Sequence, residues 1–137
     1  MSPDIEFDYN RSIFSPPAPV VLAEWRSPAN PNAPNPARLP ALIDSGAFCS
    51  VVPLSLIDSL RLCQVDEIEA GGYDDKEENF EVKPVYSIHL TISQLQPIFA
   101  EVIPKDSEDY AIIGRDVINE WLLTLDGPKL KSTIKTT

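Results

Sequence analysis

Asp44-Ser45-Gly46-Ala47 sets one carboxylate and one hydroxyl on a glycine-containing turn, directly after the apolar stretch Pro40-Ala41-Leu42-Ile43 and before the apolar pair Val51-Val52. A carboxylate at the end of a buried strand is a candidate general acid or base, able to exchange a proton with water or substrate once a second group completes the transfer. Other chemistries lack parts. A serine nucleophile needs a base beside it, yet His89 is the one histidine and no G-x-S-x-G turn exists. On an alternating strand His89 reads as a structural or solvent-facing residue. A zinc site needs about four ligands, more than one histidine with Cys49 and Cys63 can supply. The two cysteines lack the spacing of a disulfide scaffold and read as buried small apolar side chains.

The elements that must hold Asp44 are short strands. Fourteen prolines against five glycines, with turn residues at short intervals, disfavour long helices. Apolar, β-branched Ala18 to Trp25 and Leu39 to Ile43 read as two strands, joined by a Pro/Asn-rich loop over 26–37 that cannot donate a regular hydrogen-bond ladder. That loop is either an exposed excursion or a semi-rigid arm. Pro53 suits the first turn of a short helix to Leu60. Val65 to Ala70 and Phe80 to Ile92 form a hairpin around a polar tip at 70–80, which opens with Gly71-Gly72-Tyr73 and carries Asp74, Asp75, Glu77 and Glu78. Ile98 to Ile103 alternates with period two, Tyr110 to Ile113 is another strand, Asp116 to Glu120 a helical turn, and Leu122 to Leu125 a last strand.

The Asp44-Ser45-Gly46-Ala47 element resembles the Asp-Ser/Thr-Gly-Ala/Ser loop of aspartic proteases. Ala111-Ile112-Ile113-Gly114-Arg115-Asp116 is similar to the apolar-apolar-Gly-Arg-Asn/Asp segment near the end of retropepsins, and Gly71-Gly72-Tyr73 falls where their flap falls. The stretch Trp121 to Pro128 looks like the tail of bacterial single-domain members. Together these cover residues 18–127. The resemblance implies one mostly β retropepsin-like domain over 1–137. It would be a closed barrel of the acid protease fold, with a short helix, a flap hairpin and a C-terminal helical turn. It further implies an aspartic endopeptidase in which Asp44 is the single catalytic aspartate of each chain, with no cofactor and no metal. Two carboxylates side by side share one proton, and a chain with a single Asp-Ser-Gly obtains the pair only by forming a two-fold homodimer. Ser45 would hydrogen-bond across the pair, and Ala47 would be small because the loop is crowded. Ile112, Ile113 and Gly114 would pack beneath it, with Arg115 and Asp116 following. Gly46 would adopt a backbone conformation denied to other residues, so that its amide reaches the carboxylate. One departure stands out: the acid that pairs with this arginine in retroviral enzymes is replaced by Phe48, leaving Asp116 or another acid as the partner of Arg115. The alternative is a non-catalytic dimerisation or peptide-binding module on the same fold.

Composition agrees with a folded chain: 43% of residues are apolar and 23% charged. A formal net charge of -10 opposes binding to nucleic acid or anionic membrane, whose affinity comes from clustered Lys and Arg. No apolar run is long enough for a membrane helix, and the acidic start is unlike a signal peptide, so the expected location is cytoplasmic. The expected partners are a second copy and a peptide or protein substrate.

Overall fold

Val21, Ala23 and Trp25 alternate with Leu22, Glu24 and Arg26, and only a strand with one face inward uses such a pattern. In the computed structural model, which describes residues 4–70, 81–106 and 109–136, those three side chains are 3%, 0% and 0% exposed while Leu22 is 63% exposed. The elements in order are β1 (Asp4–Asp8), β2 (Val20–Arg26), β3 (Ala37–Ile43), β4 (Ser50–Pro53), α1 (Leu54–Leu60), β5 (Gln64–Ala70), β6 (Glu81–Thr91), β7 (Ile98–Lys105), β8 (Ala111–Ile113), α2 (Arg115–Ile118), β9 (Leu122–Asp126) and β10 (Lys131–Lys135).

Strand order β2-β3-β8-β4-β7-β6, with β6 returning to pair with β2, closes a barrel, and β5 extends it as a hairpin arm on β6. Closure leaves few free backbone groups. Trp25, Val52, Ile88, Leu90, Val102, Ile113 and Val117 fill the interior, and the Trp25 indole Nε1–H donates to the Leu39 carbonyl at 3.3 Å. The mostly β expectation therefore holds, with two short helices. At α1, Pro53 sits at the N-cap, where its missing N–H is not needed, and Leu56 and Ile57 face inward.

A second sheet, β1-β10-β9, packs on the barrel through Ile5, Phe7, Leu123 and the fully buried Ile134. Strand β4 was not expected. The alternation Asp4-Ile5-Glu6-Phe7-Asp8 carries the signal for β1, whereas β4 is too short to show a period.

The loop between β2 and β3 folds back on itself through hydrogen-bonded turns. Asn30 N–H donates to Ser27 O at 2.9 Å and Ala33 N–H to Asn30 O at 3.2 Å, while Arg26 Nε–H reaches back to Ala33 O at 2.8 Å. The β5–β6 hairpin is paired from Gln64 with Tyr86 to Ala70 with Glu81. Its tip, with Gly71, Gly72 and Tyr73, lies outside the described residues. Among the described residues no helix is long and apolar enough to cross a membrane.

Candidate active site

Strand β3 runs parallel to β8, Ile43 beside Ile113, so the chain leaves β3 at Asp44 next to the point where it leaves β8 at Gly114. Strand β4, antiparallel to β8 at Val51–Ile112, brings the end of the 44–49 loop to the same place. Two chain reversals far apart in sequence thus meet. Asp44 N–H donates to Ile113 O at 3.0 Å, Ala47 N–H to Asp44 O at 3.1 Å, and Arg115 N–H to Ala47 O at 2.9 Å.

Asp44 is half-buried at the head of this loop, and its Oδ1 accepts the Gly46 N–H at 2.9 Å. An amide donor fixes one carboxylate oxygen and stabilises negative charge there. Ser45 is exposed beside it, and Ala47 is half-buried. Gly46 does not use a left-handed backbone: among the described residues no glycine has a positive φ. A Cβ on Gly46 would lie 3.1 Å from Asp44 Oδ1, a tight contact that a small shift of the carboxylate would relieve. Gly114 is more constrained. Its φ of -96° suits any residue, but a Cβ would meet the Cys49 carbonyl carbon and oxygen at 2.6 Å and Ala47 O at 2.8 Å.

Among the described residues no acid pairs with Arg115; its Nη1–H donates to the Ser45 carbonyl at 2.9 Å. With Phe48, 52% exposed, where a carboxylate was sought, the guanidinium turns to the nearest backbone acceptor of the same loop. Asp116 is engaged elsewhere. Its Oδ1 accepts Ser50 Oγ–H at 2.9 Å and Val117 N–H at 3.0 Å, and its Oδ2 accepts Ser50 N–H at 3.2 Å. Ser50, fully buried, also accepts Gly114 N–H at 3.0 Å. The sequence reading did not single out Ser50. The available signal was a lone hydroxyl opening an apolar strand, since a buried hydroxyl needs partners.

The other candidate groups are chemically quiet. Burial, then the nearby Asp116 charge, pushes the half-buried Cys49 thiol up to about 11, so it stays protonated and a weak nucleophile near neutrality. Cys63 is exposed, contrary to expectation, because it follows the αL residue Arg61 that ends α1. His89 is buried, edge-on to Phe99 at 4.9 Å, and held below its usual range by burial and then by the Arg26 charge. It lies on β6, away from Asp44.

No protein-family model matches the sequence, and no curated protein matches it. Solved structures do match. A retropepsin-like aspartic protease from Rickettsia conorii aligns with TM-score 0.63 at 14% identity, over 98% of this chain and 91% of that one. Simian foamy virus (mac) protease gives 0.52 at 19% identity, over 74% and 92%, and EIAV protease 0.50 at 17%, over 74% and 86%. With the parallel β3–β8 pair beneath the Asp44 loop, the closed barrel of this chain is the retropepsin-like aspartic protease fold.

Proposed function

We propose that the chain is one protomer of a homodimeric aspartic endopeptidase, acting in the cytoplasm on peptide or protein substrates. The observation that carries this reading is the half-buried Asp44 carboxylate, anchored by the Gly46 amide at the end of β3 in a fold shared with aspartic proteases. A lone carboxylate cannot both accept and donate the protons that peptide hydrolysis requires. Two protomers meeting on a two-fold axis with their Asp44 loops face to face would supply the pair, one carboxylate taking a proton from water while the other gives one to the scissile carbonyl. Ser45, exposed beside Asp44, would hydrogen-bond across that axis, and the hairpin tips would cover the substrate. The carboxylates act as one coupled unit, so neither copy is permanently acid or base.

The test is cleavage of a proteome-derived peptide library by the purified chain. Asp44→Asn is expected to lower turnover by roughly 10²- to 10⁴-fold with dimerisation retained. Specific activity should fall on dilution below the dimer dissociation constant, because dimer formation follows mass action. The pH profile should be a bell on the acid side of neutrality, since the singly protonated pair exists only within a window of pH. Full turnover in Asp44→Asn would overturn the reading.

A further inference from the structure

Two cavities, of about 300 and about 400 Å³, lie side by side along β7 and share Ile98, Phe99 and Glu120 as their common wall. The first has Ile68, Val85 and Ile103 among its lining and the second has Trp121, so an apolar strip runs through both. Phe99 stands between them 62% exposed, backed edge-on by the buried His89 ring, a rigid aromatic set on a strand rather than a loop. The rim is acidic. Asp66, Glu101 and Glu120 are exposed there, and among the described residues none is in an ion pair and no Lys or Arg lines either cavity. An apolar floor under three unpaired carboxylates, on a chain of net charge -10, suits alternating aliphatic and cationic side chains and repels acidic ones.

We infer that this groove docks a basic stretch of an extended polypeptide, with Lys or Arg at the rim and an aliphatic side chain against Phe99. The groove begins at Cys49, where the 44–49 loop ends, so its near end lies within about 18 Å of Asp44. That the docked segment belongs to a substrate rests on the proposed protease activity; the docking itself does not.

The experiment is an NMR titration of the full-length Asp44→Asn chain with the capped hexapeptide Lys-Val-Arg-Leu-Lys-Thr and with a counterpart bearing Glu in place of each Lys and Arg. Only the basic peptide should bind, with shifts centred on Phe99, Glu101, Glu120 and Trp121 and affinity falling as salt rises. Glu101→Gln/Glu120→Gln should weaken binding about five- to tenfold, each exposed charge contact being small. Phe99→Ala, exposed and therefore tolerated by the fold, should weaken it too. Asp58→Asn/Glu67→Gln removes the same charge from exposed positions outside the groove and should leave affinity within about twofold. Equal loss in that control, equal binding of the acidic peptide, or shifts away from the groove would overturn the proposal. If the basic peptide binds as described while the native chain cleaves nothing, the docking stands and the protease reading falls; cleavage without groove binding does the reverse.

Discussion

The loop that carries Asp44 and the sheet formed by the chain ends are both built from residues far apart in sequence, yet different forces hold them. Around Asp44 the contacts are polar and centre on the fully buried Ser50 hydroxyl, which bonds the Gly114 amide and the Asp116 carboxylate, and Gly114 faces the backbone of Cys49 and Ala47. In the β1-β10-β9 sheet the polar contacts are solvated. Lys131 Nζ meets Asp8 Oδ1 at 2.9 Å and Glu6 Oε1 at 3.5 Å on an open face, while Ile134 underneath is fully buried. The enclosed network fixes geometry; in the terminal sheet burial carries the energy and the ion pairs add little.

Gly114→Ala probes the enclosed side hardest. At an extended φ an alanine would gain a few tenths of a kcal/mol from the unfolded state, but a carbon 2.6 Å from backbone atoms has nowhere to move, so a loss of about 3 kcal/mol is expected by urea denaturation. Wild-type stability in that variant would mean the two loops separate freely. Ile134→Ala tests the other side. Removing a fully buried side chain from the terminal sheet should cost about 3 kcal/mol on the same assay, and a negligible loss would show that this sheet is dispensable for the barrel.

A smaller effect, about 2 kcal/mol, is expected for Ser50→Ala, which leaves Gly114 N–H without its acceptor and removes a donor from Asp116. Asp116→Asn keeps a side chain of the same shape and should cost less. The reverse ranking would place the anchoring in Asp116 rather than the hydroxyl. Lys131→Ala should do least. It breaks the exposed contacts to Asp8 and Glu6, and its melting midpoint should coincide with that of the native chain at high salt, where such pairs are already screened. A large drop there would erase the contrast between the two regions.

By itself the sequence determined the local features. The period-two pattern of Val21, Ala23 and Trp25, the helix accepted after Pro53, and the turn at Asp44-Ser45-Gly46 follow from side-chain alternation, from a missing N–H and from turn chemistry within a few residues. Tertiary structure alone decided that Arg115 would bond the Ser45 carbonyl, that Ser50 would join Asp116 to Gly114, and that Gly114 answers to crowding rather than to φ. It also decided that β10 would lie between β1 and β9, pairing Asp8 with Lys131. The hydrogen bonds among these contacts span from 64 to 123 residues of chain, and a partner at that separation is selected by the closure of the fold, which no local pattern of residues encodes.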